Sequence, residues 1–208
     1  MVMKGHAMFK FDPSIIATND PLRSKIKIEH WAKYCECKYQ IANDVKPDAI
    51  VEIGVRAGYG AWALLQSNPK AMYYGLDANN NTHGGLGGPW SPVAEKMLNS
   101  RGHAVKMWHD FDSQVHTSLP EEIGKEEVIL YHVDGDHTAK GAYNDIVLCF
   151  KNAHAGCYIL VDDYNPGPGI GVQNGTNKWV EENKDLVETE VFPDTGNGDI
   201  LIKILKKE

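Results

Sequence analysis

The sequence contains no long apolar run and has little positive charge. None of its apolar runs approaches the roughly 18 residues that a membrane-spanning helix needs. The N-terminal residues MVMKGHAMFKFD also lack the apolar core of a signal peptide. Lys and Arg number 21 against 28 Asp and Glu, which gives a net charge of −7. An acidic chain lacks the basic surface that phosphate backbones need, so we expect no nucleic acid as a partner. Because the sequence shows neither a membrane span nor a signal peptide, we expect a cytoplasmic protein without a membrane partner.

Cysteine is scarce, and its spacing argues against two kinds of site. The four cysteines Cys35, Cys37, Cys149 and Cys157 form no C-x-x-C pair. This pattern predicts free thiols in a reducing compartment rather than a disulfide framework. Because no cluster of cysteine and histidine is present, the sequence also argues against a structural zinc site.

Short apolar strands alternate with segments of helical spacing from about residue 28 onward. Runs of apolar and β-branched residues predict strands at residues 49–53, 72–76, 104–108, 128–133, 157–161, 186–192 and 200–205. Helical spacing predicts helices at residues 31–45, 59–67, 92–100, 113–123, 138–152 and about 171–183. Ser91, which precedes Pro92, is predicted to cap the third of these helices. This alternation predicts an α/β fold with a mostly parallel sheet and an antiparallel C-terminal hairpin at one edge. We expect a single domain over residues 1–208, in which residues 1–27 form an N-terminal extension or lid.

A glycine-rich loop follows the first predicted strand, in the sequence VEIGVRAGYG. Gly54, Gly58 and Gly60 lie between a strand and a helix, where a backbone without Cβ can approach a ligand closely. Their spacing differs from the G-x-G-x-x-G of dinucleotide sites, which disfavours an NAD-dependent oxidoreductase. Asp77 ends the second strand, where a carboxylate can accept both hydroxyls of a ribose. The alternative is a tight turn whose glycines only permit close packing.

Carboxylates gather after the fourth and fifth predicted strands. VDGDH places Asp134 and His137 after the fourth strand, and VDDY places Asp162 and Asp163 after the fifth. Because parallel strands present their carboxyl ends at one edge of a sheet, we expect these aspartates to lie together. Three carboxylates at one place repel each other unless a cation neutralises them, and oxygen ligands suit Mg²⁺ or Mn²⁺. The alternative is that they only cap the turns that follow.

The glycine loop followed by an acid resembles the class I S-adenosylmethionine (SAM) methyltransferases, over residues 45 to the end. The resemblance implies a Rossmann-like sandwich whose seven strands follow the order 3-2-1-4-5-7-6. It also implies that Glu52 and the loop glycines Gly54, Gly58 and Gly60 face the amino-acid part of SAM, and that Asp77 binds its ribose.

The motifs D-x-x-H and DD resemble the metal-dependent O-methyltransferases, and DGDHTAKGAYNDI most closely resembles the branch of macrocin and macrolide sugar O-methyltransferases. This resemblance implies that Asp134 and the two aspartates of VDDY, Asp162 and Asp163, bind Mg²⁺ or Mn²⁺. It makes His137 the general base and Asp134 a catalytic residue that also borders the cofactor. The segment DFDSQ is similar to the catechol-type loop that lies along the adenine, which implies cofactor contacts for two more residues, Asp112 and Ser113.

The resemblance implies a Mg²⁺-dependent O-methyltransferase that transfers the methyl group of SAM to a hydroxyl of a small molecule or sugar-bearing metabolite. The acceptor would be covered by the N-terminal segment up to Pro21 and by the loops at residues 82–89 and 164–175, with a homo-oligomer left open. Alternatives are a metal-independent methyltransferase and a non-catalytic SAM-binding protein. An iron oxygenase built on His132 and Asp134 is disfavoured because such enzymes usually have jelly-roll sheets.

Overall fold

The computed structural model describes residues 9–80, 88–165, 171–193, 195 and 198–207. Its strands are β1 (Ala49–Ile53), β2 (Met72–Leu76), β3 (Val105–Trp108), β4 (Ile129–Val133), β5 (Tyr158–Val161), β6 (Val187–Phe192) and β7 (Asp199–Ile204). Its α-helices are α1 (Ile28–Val45), α2 (Tyr59–Leu65), α3 (Ser91–Ser100), α4 (Ala139–Asn152) and α5 (Val172–Glu182), preceded by a 3₁₀ turn at Pro13–Ile15. Among these described residues, no helix combines the length and apolar character of a membrane span.

The seven strands form one sheet in the order β3-β2-β1-β4-β5-β7-β6. Strands β1 to β5 pair in parallel, whereas β7 runs antiparallel to both β5 and β6. The predicted fold class and strand order are therefore confirmed. The parallel register also sets Glu52 of β1 directly beside His132 of β4, which determines much of the chemistry beneath the site.

The sheet separates two hydrophobic cores because successive strand residues point to opposite faces. Val51 and Ile159 contribute to the core that α4 and α5 cover, and Ile50 and Leu160 contribute to the core that α1, α2 and α3 cover. All five residues of β1 and of β4 are buried, as expected for central strands with helices on both faces. The strand ends therefore stand on a rigid support.

Two local predictions are wrong. The predicted helix at residues 113–123 is a series of turns. Pro120 cannot donate a helical hydrogen bond, and the side-chain amide of Gln114 donates a hydrogen bond to Asp145 on α4. Ser91 does not cap α3 but lies inside it. Its hydroxyl bonds to Asn79 at 2.9 Å and contacts a ring nitrogen of His109 at 2.7 Å, so it is not available to cap the helix.

Candidate active site

A cavity of about 320 Å³ lies at the carboxyl ends of the central strands. Its wall includes the glycine loop at residues 54–60, the carboxylate of Asp77, and the cluster of Asp134, His137 and Asp163. The predicted cofactor and metal residues thus border one common space. The loop segments at residues 82–87 and 166–170, which the sequence suggested as covers for the acceptor, lie outside the described residues.

The loop glycines allow β1, β4 and two helices to approach one another closely. Gly54 has a φ of 87°, and a Cβ there would collide with the carbonyl oxygen of Asp134. Gly58 has a φ of 77°, and a Cβ there would lie 2.7 Å from Cβ of Ala94 on α3. A Cβ on Gly60 would lie 3.0 Å from the hydroxyl of Tyr34. Packing therefore explains these glycines in part, while the loop they shape lines the cavity.

Asp77 is oriented by the backbone. Its Oδ2 accepts a hydrogen bond of 2.7 Å from the N–H of Arg56, and its Oδ1 accepts one of 2.6 Å from the N–H of Asn79. Arg56 belongs to the glycine loop and has a left-handed φ of 46°, which is uncommon for a residue with a side chain. The carboxylate at the end of β2 is thus held in place before any ligand binds.

Glu52 lines the cavity and belongs to a buried hydrogen-bonded group. Its Oε1 lies 2.7 Å from Nδ1 of His132, and its Oε2 accepts a hydrogen bond from the hydroxyl of Tyr73. Burial by itself lowers the pKa of His132, but the hydrogen bond and charge of Glu52 more than offset this, and the pKa is raised. Both carboxylate oxygens of Glu52 are occupied by the protein, so its contact with a cofactor stays a prediction.

Asp162 takes part in a second buried group, centred on Lys38 of α1. Nζ of Lys38 lies 3.1 Å from Oδ1 of Asp162 and 2.5 Å from Oδ1 of Asp199, which begins β7. Oδ2 of Asp162 accepts a hydrogen bond of 2.9 Å from the hydroxyl of Tyr34. Burial by itself raises the pKa of Asp162, but the ammonium of Lys38 lowers it to about 2. The side chain of Asp162 is therefore committed to an ion pair.

Asp134 and Asp163 flank the imidazole of His137. Its Nε2 lies 3.3 Å from Oδ1 of Asp134, and its Nδ1 lies 3.3 Å from Oδ2 of Asp163. The backbone of Asp163 has a left-handed φ of 56°, unlike the extended strand that ends just before Asp162. The hydrogen bond that protonated His137 donates to Asp134 raises the pKa of His137 to about 9, while burial and then the charge of Asp162 raise the pKa of Asp134 to about 6. One ligand atom from each of the three residues fits within 4.8 Å of the others.

A comparison with family models decides the identity. Residues 51–164 match the family described as a methyltransferase domain. The chain belongs to this family. It is a SAM-dependent methyltransferase, and the matched region contains the glycine loop, Asp77 and the whole cluster of carboxylates.

Solved structures share the fold of this methyltransferase. The SAM complex of the O-methyltransferase TomG from Streptomyces achromogenes, involved in tomaymycin synthesis, has a TM-score of 0.64 at 14% identity, covering 94% of this chain and 91% of that one. The O-methyltransferase NovP has a TM-score of 0.61 at 13% identity, covering 84% and 80%. The SAH-bound methyltransferase PaMTH1 from Podospora anserina has 0.53 at 16%, covering 96% and 99%. No curated protein matches the chain.

The donor set of the methyltransferase fits a divalent cation at two of the three predicted aspartates. Asp134 and Asp163 direct carboxylates to one point beside His137, and two carboxylates completed by water can hold Mg²⁺ or Mn²⁺. Asp162 differs, because both of its oxygens already have partners. Metal binding by this aspartate is therefore not supported by its contacts, although it lies beside the cluster.

The loop of Asp112 and Ser113 reaches the cavity of the methyltransferase and is tied to α4. Oδ1 of Asp112 accepts a hydrogen bond of 2.9 Å from the backbone N–H of Gln114. The side-chain amide of Gln114 donates a hydrogen bond of 2.8 Å to Asp145. Asp112 and Ser113 both line the wall of the cavity, next to Phe111. Their contact with the adenine stays a prediction.

Three residues that matter here escaped the sequence analysis, namely Tyr34, Lys38 and Asp199. Lys38 and Asp199 are fully buried, although they belong to residue types that are almost never buried unless paired. No local pattern joins them, since 161 positions separate them along the chain. Only the topology, which brings β7 beside β5 and under α1, brings them together.

Proposed function

We propose that the protein is an O-methyltransferase that transfers the methyl group of SAM to a hydroxyl of a small molecule or sugar-bearing metabolite, with Mg²⁺ or Mn²⁺ at its site. We further propose that it belongs to the metal-dependent branch that includes the macrocin-type enzymes. The DGDH motif supports the assignment to this branch, and the likeness in fold to TomG and NovP, both described as O-methyltransferases, supports transfer to oxygen.

One observation carries the proposal. A titratable imidazole and two carboxylates, from His137, Asp134 and Asp163, line the same cavity as the glycine loop and Asp77. A methyl transfer to oxygen needs a bound methyl donor, a base for the hydroxyl proton and a means of stabilising negative charge on oxygen. This cavity offers residues suited to each of the three.

In this proposal the cofactor residues act as follows. Asp77 accepts the ribose hydroxyls, and the loop at residues 54–60 lies against the amino-acid part of SAM. Asp112 and Ser113 border the adenine. Glu52 acts from below, because its bonds to His132 and Tyr73 hold the strand that carries the loop.

Asp134 and Asp163 hold the divalent cation in this proposal. When bound, the cation would lower the pKa of an acceptor hydroxyl. His137 accepts the hydroxyl proton, the acceptor oxygen forms a bond to the methyl carbon, and the carbon–sulfur bond of SAM breaks to release S-adenosylhomocysteine (SAH). With a pKa of about 9 beside the charged aspartates, His137 is protonated at neutral pH. Neutralising the two aspartates removes the cause of that shift and frees the imidazole to act as a base.

The remaining walls of the cavity suit a small acceptor. Leu22, Ile26 and Trp31 line it from the N-terminal segment and α1, and they add apolar surface to the cavity. We propose that the acceptor presents a hydroxyl to His137 and an apolar part to these side chains. The single domain over residues 1–208, the lid at residues 1–27, a homo-oligomer and a cytoplasmic location stay predictions.

A metal-independent methyltransferase is the second candidate. It is favoured by His137, whose protonated ring lies within 3.3 Å of both Asp134 and Asp163 and offsets one of their charges, and by Lys38, which pairs with Asp162. In that case the positive charges that hold the carboxylates together come from the protein and not from a metal.

Calorimetry and product analysis separate these candidates. SAM is titrated into chelator-treated protein alone, with Mg²⁺ and with Mn²⁺, and methylation of a panel of diols is then followed by mass spectrometry. We expect SAM binding in every case, and diol methylation that depends on the cation and is lost in Asp163→Asn. Methylation that survives complete chelation would favour the metal-independent enzyme. A wild-type protein that does not bind SAM would contradict the proposal as a whole.

A further inference from the structure

Residues 9–27 form part of the cavity although they precede the first helix of the fold. Leu22 and Ile26 line the cavity, while Ile15 and Ile16 are buried in the core beneath α2. Near the glycine loop this segment is fastened by one buried acid, Asp20.

The carboxylate of Asp20 has four hydrogen-bond donors. Two come from the guanidinium of Arg56, at 2.9 Å from Nη1 and 2.7 Å from Nη2. The others are the hydroxyl of Tyr59 at 2.7 Å and the N–H of Leu22 at 2.8 Å. Asp20 is only 4% exposed. A bidentate pair of this kind fixes the orientation of the arginine as well as its position.

Arg56 connects this pair to Asp77. Its guanidinium is held between Asp20 and the ring of Trp90, whose centroid is 5.6 Å away. Its backbone N–H donates the 2.7 Å hydrogen bond to Oδ2 of Asp77. Its φ of 46° lies in the left-handed region, where a residue with a side chain stays only when its surroundings hold it.

We infer that Asp20 is a positioning residue for the ribose of SAM and acts through Arg56 on Asp77. The inference rests on the proposed function, in which Asp77 binds that ribose. Without the two guanidinium hydrogen bonds to Asp20, the backbone at Arg56 loses a restraint that keeps it left-handed. The N–H of Arg56 then no longer orients Asp77. Asp20 never touches the cofactor in this account, so its effect is on affinity rather than on the chemical step.

A second ion pair of the same segment provides a matched control. Asp12 lies 3.1 Å from Nη2 of Arg101, and its side chain is 47% exposed, outside the wall of the cavity. Asp12→Asn removes one anchor of the segment without affecting Arg56 or Asp77, whereas Asp20→Asn removes the anchor that reaches them.

The test is calorimetric titration of SAH and of adenosine into the full-length wild type and the two variants. A charge-assisted hydrogen bond is worth enough for a loss of about tenfold, so we expect Asp20→Asn to raise both dissociation constants about tenfold. We expect Asp12→Asn to change them less than about twofold. In the methyl-transfer assay, the KM for SAM rises in Asp20→Asn while kcat at saturating SAM stays within about twofold.

A double-mutant cycle tests the route through Asp77. If Asp20 acts on that residue, Asp20→Asn adds little to the loss caused by Asp77→Asn, whereas independent effects add. Additive losses, or equal losses in Asp20→Asn and Asp12→Asn, would overturn the inference while the proposed function stands. Failure of the wild type to bind SAH would overturn both. Should Asp20→Asn not fold, Arg56→Lys decides, since it keeps the charge and the N–H but loses the pair of guanidinium hydrogen bonds, and unchanged SAH binding there would refute the inference.

Discussion

Nζ of Lys38 lies 3.1 Å from Oδ1 of Asp162, and both groups are buried, with Asp162 at the wall of the cavity. This pair separates the aspartates that the sequence grouped together. Both aspartates line the cavity, but Asp162 pairs with a cation of the protein, whereas its neighbour Asp163 lies beside His137. Two consecutive carboxylates at one strand end thus do different things, one in folding and one at the site.

Replacing Lys38 is expected to destabilise the fold strongly. Lys38→Met leaves Asp162 and Asp199 buried without their shared cation, so the free energy of unfolding falls by about 3–5 kcal/mol. Lys33→Met on the same helix is the control, because Lys33 is exposed, and its effect stays within about 0.5 kcal/mol. Denaturant unfolding monitored by circular dichroism measures both. Equal stability of the two variants would contradict the role given to the buried pair.

The neighbouring aspartates are expected to differ in their effects. Asp163→Asn lowers Mn²⁺ affinity by about tenfold or more, since it removes a carboxylate from the cation site, and it changes stability little. Asp162→Asn lowers the free energy of unfolding by about 3 kcal/mol, because it breaks the pair with Lys38. Electron paramagnetic resonance of free Mn²⁺ and denaturant unfolding give the two readouts. If Asp162→Asn loses Mn²⁺ binding while remaining stable, the assignment is reversed.

Gly54 is expected to tolerate alanine poorly. Its φ of 87° strains any side chain, and a Cβ would also collide with the carbonyl oxygen of Asp134. Gly102 has a similar φ of 82° with no atom within 4 Å of an added Cβ, so it isolates the strain alone. We expect Gly102→Ala to cost about 1–2 kcal/mol and Gly54→Ala more than about 3 kcal/mol, together with weaker SAH binding. Similar costs in chemical unfolding would mean that the close approach is easily relieved.

Asp145 is expected to make stability depend on pH. Burial raises its pKa from 3.8 to about 7, so the folded protein holds this proton more tightly than the unfolded chain. Its favourable contribution is complete below pH 3.8 and is lost as the pH rises through about 7. The stability of the wild type relative to Asp145→Asn should therefore fall between pH 4 and pH 8, by on the order of 3 kcal/mol. A difference that is constant over this range would contradict the shifted pKa.

The sequence predicted the strands well because each is a short apolar run with clear ends. The observed bounds of β1 and β2 agree with the predicted residues 49–53 and 72–76, and those of β4 and β5 each begin one residue later than predicted. The strand order came from the family resemblance and is confirmed. The prediction of a helix at residues 113–123 is wrong because apolar spacing takes no account of Pro120, which lacks an N–H, or of the hydrogen bond between the Gln114 side chain and Asp145.

The site was predicted less completely, because its polar groups are paired across long stretches of chain. The motifs located Asp77, Asp134 and His137 on the cavity wall, since the two aspartates follow directly after strands and His137 comes three residues after Asp134. They did not reveal the ion pair between Lys38 and Asp162, because no pattern in the sequence of α1 marks one of its lysines as buried. The role of a strand-end carboxylate depends on which helix packs above it, and that is decided by the fold as a whole.

The division between Asp162 and Asp163 has a consequence for how this enzyme tolerates change. In a mutational scan, we expect substitutions at these two adjacent positions to be lost under different selections. Variants at Asp162 would drop out of a selection for cellular abundance, because they leave a buried lysine short of a partner. Variants at Asp163 would accumulate as normal protein and drop out only when methyl transfer is selected. In the proposed function, one peptide bond therefore joins a residue that is needed for folding to a residue that is needed for methyl transfer.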